Sequence, residues 1–328
     1  MKRVRFAPSP TGSLHIGNAL SAIANRRLGD WTLLRIDDTD PARNIPEGEA
    51  ELLRDLEWLG IEWDEGPVRQ SERAGRYREA AERLGDDRFD GITLVREDGT
   101  ATYHLASVVD DVDFAITHVV RGNDHRPNEA LHRRLFEALG ARPPEFVHHG
   151  LVLGADGKKL SKRAEGATVV SLRDAGIPGE AVRAYLEELG LPRHDVRLDL
   201  RRIRRLSIEA IEQMSDEELA ERVGVPASVV PVMRGARDLR EARTFADVVL
   251  EAPDPAQAEA PETLLRFREL VRDGLDAKAI VRELKAVGGD LRAVRLALTG
   301  RERGPELWAV IEALDRDEAL RRIDRALS

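Results

Sequence analysis

The chain reads as an α/β protein: a doubly wound parallel sheet, followed by an all-α C-terminal region. Three observations predict this. Up to residue 163, short apolar strands alternate with amphipathic helices. Polar turns rich in glycine or carboxylates close those strands at their carboxyl ends, where open α/β sheets bind ligands. From Ala164 onward the strand signals fade and helical periodicity takes over.

The first strand, residues 3–7, runs into Pro8-Ser9-Pro10-Thr11-Gly12, where two prolines remove backbone donors and glycine permits unusual dihedrals. A helix then opens at Leu14-His15-Ile16-Gly17 and continues through Ile23 and Ala24. Strand, tight turn and helix start form a phosphate-receiving arrangement, with free N–H groups and the positive end of the helix dipole facing a ligand. His15 adds a donor there, and Gly17 lets a planar group lie against the backbone.

Trp31–Ile36 (WTLLRI) reads as a buried parallel strand delivering Asp37-Asp38-Thr39-Asp40 to its carboxyl end. Asp37 can accept from an amino group, whereas Asp38 and Asp40 read as fixing the turn before Pro41. Residues 48–59 form an amphipathic helix, GIEWDEGP a loop, and residues 70–84 a further helix. After a short polar linker, residues 85–88, come a strand at 92–96 and a segment, 102–109, that brings Tyr103 and Ser107 to one face. A strand at 115–120 ends at Arg121, a helix covers 126–139, and a short strand covers 146–148.

Next comes LGADGKKLSKR, a glycine-containing loop with four cations in the six residues Lys158 to Arg163. Alone it also fits a solvated turn. Paired with a phosphate-receiving helix start, it suggests a mobile clamp for a polyphosphate. The remainder reads as helices at 181–189, 199–211, 216–223, 244–250, 263–273, 276–287, 291–298 and 307–314, with EAPDPAQAEAPE as a low-complexity linker.

Composition sets bounds. The 328 residues suffice for two or three domains. With no cysteine, disulfides and thiolate zinc sites are excluded. No apolar run approaches the length of a membrane span and no signal-peptide core is present, so a soluble cytoplasmic protein is expected. A monomer is expected separately. A net charge of −9 is not the footprint of a generic nucleic-acid binder, so any grip on RNA must come from local basic patches.

HIGN and KLSKR resemble the two signatures of class I aminoacyl-tRNA synthetases. RFAPSPTGSLHIGNAL, LRIDDTD, YHLASVVDD, THVVRGNDH and LGADGKKLSKR are similar to successive blocks of the glutamyl-tRNA synthetase family, in that family's order. The tail containing LALTGRERGPEL resembles the end of the bacterial enzymes. The resemblance implies a Rossmann-like (HUP) catalytic domain at 1–163, a helical stem-contact-like linker at 164–215, and an anticodon-binding-like helical domain at 216–328.

It also implies an ATP-dependent ligase that makes glutamyl-adenylate, with magnesium accompanying ATP, no zinc, and tRNA(Glu) as acceptor. His15, Lys159 and Lys162 would be catalytic. Gly17, Asn18, Asp124, Leu160 and Ser161 would join His15 and Lys162 around ATP. Arg5, Ala7, Ser9, Asp37, Tyr103, Ser107 and Arg121 would hold glutamate, with Arg5 reading the side-chain carboxylate. Asn18, Asp37 and Ser107 depart from the family's usual His or Gly, Glu, and Asn. The family's acceptor-binding insertion, expected between Leu84 and Phe89, is reduced to a few residues. That reduction leaves two further readings: an adenylating ligase with a non-tRNA acceptor, and a non-catalytic paralogue that binds tRNA or a protein.

Overall fold

The computed structural model describes residues 1–161, 164–251, 253 and 260–328. The chain divides into two compact units, residues 1–174 with 182–203, and residues 175–181 with 204–328.

The first unit opens with β1 (Arg3–Phe6), α1 (Ile16–Leu28), β2 (Trp31–Ile36), α2 (Gly48–Trp58), β3 (Glu65–Arg69) and α3 (Ala74–Leu84). A hairpin of β4 (Arg88–Phe89) and β5 (Ile92–Thr93) follows. The second half comprises α4 (Tyr103–Asp113), β6 (His118–Gly122), α5 (Glu129–Ala138), β7 (Glu145–His149) and β8 (Val152–Leu153). After α6 (Val169–Asp174) and α7 (Gly179–Leu189), β9 (Val196–Arg197) pairs in parallel with β8.

β1, β2 and β3 are parallel neighbours in that order, as are β6 and β7. Thr117 N–H donates to the Arg3 carbonyl at 2.9 Å and sets β6 beside β1. The strands therefore run β3-β2-β1-β6-β7, doubly wound, with the order reversing between β1 and β6. That reversal point, outside the carboxyl ends of β1 and β6, is where such sheets open a ligand crevice. Val4, Leu33, Leu34, Ile36 and Val119 are buried along the strands, with Ile16, Leu20 and Ile23 of α1 buried as well. Sheets covered on both faces need such near-continuous apolar strands.

Three local expectations are corrected. The stretch expected as a loop contains β3, whose Glu-Gly-Pro-Val-Arg has no apolar run; it forms because β2 offers it a parallel edge. The strand expected at 92–96 is only β5, because the chain turns back and Val95 bridges Ala101. The helix expected at 126–139 begins as a 3-10 turn at Asn123–Asn128, where Pro127 sits, before α5.

The second unit is helical: α8 (Leu200–Gln213) enters it, then α9 (Asp216–Val223), α10 (Val230–Met233), α11 (Leu239–Leu250), α12 (Pro261–Arg272), α13 (Ala277–Ala286), α14 (Leu291–Thr299), α15 (Leu307–Ala313) and α16 (Arg316–Leu327). Ser215, Asp238 and Asp315 each accept from the N–H three residues on, and each such position is a glutamate. This short-range code sets three helix starts. Val230, Met233, Phe267, Leu284, Val294, Leu298, Val310 and Ile323 form the core. The buried Arg322 of α16 donates to the carbonyls of Val248, Val249, Glu251 and Leu298, closing the ends of α11 and α14.

Candidate active site

A cleft of about 730 Å³ opens at the carboxyl ends of β1 and β6, within the size range of small-molecule sites. Arg5, Ala7, Ser9, His15, Gly17, Asn18, Asp37, Tyr103, Arg121, Asp124, Lys159 and Leu160 all line it. The sequence therefore placed twelve residues, scattered over more than 150 positions, on one surface.

The start of α1 forms one wall. His15 is the N-cap: its Nδ1 accepts from Gly17 N–H at 3.2 Å, and its Nε2 lies 3.0 Å from the Leu160 carbonyl. The neutral tautomer with the proton on Nε2 satisfies both bonds. The expectation of free N–H groups here is corrected. Ile16 N–H is bonded to the Ala167 carbonyl, Gly17 N–H to the His15 ring and Asn18 N–H to the His15 carbonyl. Attraction for an anion at this end thus comes from the helix dipole and side chains. A Cβ on Gly17 would meet only the His15 ring within 4 Å, so glycine keeps the cleft side clear.

The turn before α1 is held from below. Asp55 of α2 accepts from the Ser13 hydroxyl at 2.7 Å and Leu14 N–H at 2.8 Å, and Arg173 donates to its other oxygen at 3.1 Å. Gly12 turns at a φ of 90°, which a side chain would strain.

The cationic loop rises from a tight turn in which Gly154 N–H bonds the Lys158 carbonyl and Gly157 N–H the Gly154 carbonyl. On its far side Val169 N–H bonds the Leu14 carbonyl. Leu160 is buried, while Lys159 is exposed and reaches Asp124 at 3.4 Å, a weak surface contact. Ser161 is exposed and does not line the cleft, and Lys162 lies outside the described residues.

The β1–β2 side carries a buried ionic network that the sequence did not disclose. Arg35, fully buried in β2, donates to Asp37 at 2.7 Å and Asp111 at 2.8 Å, and lies 3.6 Å from Asp110. Arg5 Nε contacts both Asp111 oxygens at 3.3 Å. Asp110 is further held by Gln70, Arg73 and Tyr77. Burial pushes the Asp37 carboxyl above its ordinary value, with Arg35 opposing. Ser107, expected in the wall, instead sits behind it, 3.4 Å from the Arg35 guanidinium.

On the β6 side, Arg121 is buried and its Nη2 has no hydrogen-bond partner among the described residues. Its Nη1 reaches the Tyr103 hydroxyl at 3.4 Å and its Nε the His148 ring at 3.3 Å. Among the described residues, no group of three or more His, Cys, Asp or Glu is placed to hold a metal ion. No helix there is long and apolar enough to cross a membrane.

The family described as "tRNA synthetases class I (E and Q), catalytic domain" matches residues 1–88 and 84–218, and an "Anticodon binding domain" matches residues 277–327. The two catalytic matches meet where the sequence places the shortened insertion. A glutamate–tRNA ligase of Rubrobacter xylanophilus is 34% identical, over 99% of this chain and 97% of the relative. One from Akkermansia muciniphila is 33% identical, over 98% of each. The first alignment runs over 425 positions, more than the 328 residues present here, so that relative carries interior segments this chain lacks. Among solved structures, a glutamate tRNA ligase from Elizabethkingia meningosepticum, in complex with its amino acid, superposes with a TM-score of 0.78. It is 25% identical and the match covers 99% of each chain. The glutamate-tRNA synthetase of Elizabethkingia anophelis shares the fold, at 0.76 and 24% identity.

Proposed function

Because the chain belongs to the class I tRNA synthetases of the glutamyl and glutaminyl branch, with glutamate–tRNA ligases as full-length relatives, we propose that it activates glutamate with ATP and transfers it to tRNA. The observation that carries this reading is a cleft lined by two buried guanidiniums, Arg5 and Arg121, the second with an unpartnered donor. A buried cation favours an anionic ligand, and glutamate brings two carboxylates. Asp37, at the end of β2, accepts from the α-ammonium, with Tyr103, Ala7 and Ser9 shaping the wall.

In the first step a carboxylate oxygen of glutamate attacks the α-phosphorus of ATP and pyrophosphate leaves. Negative charge gathers on the α-phosphoryl oxygens, so positioned donors lower the barrier. His15 lies on one side and Lys159 of the cationic loop on the other; Lys162 joins them by resemblance, and magnesium arrives with ATP. Gly17, Asn18, Asp124 and Leu160 complete the nucleotide's surroundings. In the second step a terminal ribose hydroxyl of tRNA attacks the acyl carbon and AMP leaves. Residues 1–163 carry this chemistry, 164–215 contact the tRNA stem, and 216–328 face the anticodon.

A second reading, transfer to an acceptor other than tRNA, rests on one observation: a two-strand hairpin, β4–β5, stands near the junction of the two catalytic matches. The "Anticodon binding domain" match favours tRNA. Charging total RNA from the native host with labelled glutamate tests the choice. Acid-precipitable, base-labile label supports tRNA; adenylate formation without any charged RNA supports the second reading.

A further inference from the structure

Two of the buried arginines at the sheet's carboxyl ends, Arg35 and Arg121, are held in opposite ways. Arg35 is surrounded by Asp37, Asp110 and Asp111. Among the described residues, Arg121 has no carboxylate as a hydrogen-bond partner. Its Nε donates to His148 Nε2 at 3.3 Å, and its Nη1 lies 3.5 Å from His132 Nδ1 and 3.4 Å from the Tyr103 hydroxyl.

The proton positions around it are self-consistent. His148 Nδ1 faces Glu129 at 3.5 Å, so the proton sits on Nδ1 and Nε2 is free to accept. Arg121 Nη1 can only donate, so the His132 Nδ1 it faces is the acceptor; the proton of a neutral His132 is then on Nε2, 3.2 Å from His104 Nδ1. The parallel register pairs Arg121 with His148, and Glu129 and His132 sit three residues apart on α5. Burial, reinforced by the Arg121 charge, pushes His132 down to about 2 and His148 to about 4, so both rings are neutral near pH 7.

We propose that His148, backed by Glu129, and His132, backed by His104, are positioning residues that hold Arg121 through neutral acceptor nitrogens, leaving its charge uncompensated for a substrate carboxylate. A carboxylate in either place would orient the guanidinium as well, but would cancel the charge and repel the incoming anion. Neutral imidazoles fix the fork without that loss. Arg5, the other cation of the cleft, is already shared with Asp111, so Arg121 supplies the fuller positive charge. Other charged or titratable groups near the cluster are His125, Asp124 and Arg126, on the turn between β6 and α5, Asp111 of α4, and Arg133 of α5, which donates to Glu129 at 2.8 Å. This inference rests on the reading of the cleft as a glutamate site.

The test is calorimetric titration of the full-length protein with L-glutamate, comparing three substitutions at one position. His148→Gln keeps a neutral acceptor near Nε2 and should bind within about threefold of wild type. His148→Phe removes the acceptor and should weaken binding by tenfold or more, each tenfold being about 1.4 kcal/mol. His148→Glu supplies a stronger acceptor but compensates the charge, and should weaken binding as much as His148→Phe. Wild-type affinity should stay flat from pH 8 to pH 6. A purely structural role predicts that Glu replaces His at least as well as Gln does. Equal binding by the Gln and Glu variants, or wild-type binding by His148→Phe, overturns the proposal. Should the position 148 variants not fold, His132→Asn against His132→Asp makes the same comparison at the second acceptor. Binding is read apart from turnover. A wild-type protein that binds glutamate without pyrophosphate exchange overturns the ligase reading alone, and one that binds no glutamate overturns this inference.

Discussion

His15 Nε2 lies 3.0 Å from the carbonyl oxygen of Leu160, 145 residues away, so the two signature segments share a hydrogen bond. The ring that caps α1 also fastens the cationic loop. For His15 to donate to a phosphoryl oxygen, its Nε2–H must exchange the Leu160 carbonyl for the ligand. Loop release and nucleotide engagement are thereby linked. His15→Ala should lower the single-turnover rate of adenylate formation by about 100- to 1,000-fold, the usual loss for one transition-state donor. The loop, freed of its tether, should also be cut faster by trypsin at Lys158 and Lys159. Unchanged rate and unchanged cleavage would separate His15 from both roles.

Lys162 is assigned from the sequence as a transition-state donor. Lys162→Ala should reduce adenylate formation by several hundred-fold, about 3–4 kcal/mol, with ATP affinity and thermal midpoint little altered. Rapid-quench measurement of the first turnover checks it, and a near wild-type rate would remove the assignment.

Arg5→Ala should weaken glutamate by roughly 2–4 kcal/mol, and glutamine less, because glutamine has no side-chain charge. The structure adds a second effect. Asp111 keeps Arg35 but loses Arg5, so the thermal midpoint should also fall. Equal losses for glutamate and glutamine, measured by competition binding, would show that Arg5 does not read the charge.

The histidine cluster predicts a pH dependence of stability. His132 and His148 are neutral when folded, with values near 2 and 4, and return to about 6.5 when unfolded. Between the folded and unfolded values the unfolded chain binds more protons, so stability rises with pH there. The contribution is complete above pH 6.5 and fades as pH falls through 6 and 5. Thermal midpoints from pH 8 to pH 5 should decline on the acid side, and His132→Phe should flatten that decline.

In the helical unit, Arg292 is paired with Glu302 and Arg295 donates to the Pro305 carbonyl, whereas Arg301 and Arg303 are exposed. Of the four arginines around LALTGRERGPEL, the last two are therefore the candidates for binding phosphates. Replacing both with alanine should weaken tRNA binding. It should also reduce the log–log salt slope by roughly 0.7–0.9 for each phosphate left unneutralised. An unchanged slope would place the RNA-binding surface elsewhere.

How much of this was legible in the sequence depends on the range of the determining interaction. The strand–turn–helix around His15 and the helix starts at Asp216 and Leu291 are set by neighbours a few residues apart, and the sequence shows them. β3 was hidden because its Gly-Pro pair reads as loop and only the edge of β2 makes it a strand. Arg35 was hidden inside an apolar run. Its role emerges only when folding brings Asp111, 76 residues away, to 2.8 Å. Ser107 was misplaced for the same reason: its helical face was legible, but not the buried guanidinium that face would meet. The acceptor histidines carry no spacing signal, since His104, His132 and His148 lie on α4, α5 and β7.

The central claim, that this cleft activates glutamate for tRNA, is tested most directly by glutamate-dependent exchange of labelled pyrophosphate into ATP. The assay is run with and without total RNA from the native host, and esterification of labelled glutamate onto that RNA is followed in parallel. The expected result is exchange that needs glutamate, is not supported by glutamine, and is accompanied by charged RNA. Absence of exchange with glutamate under both conditions, in a folded protein, would contradict it.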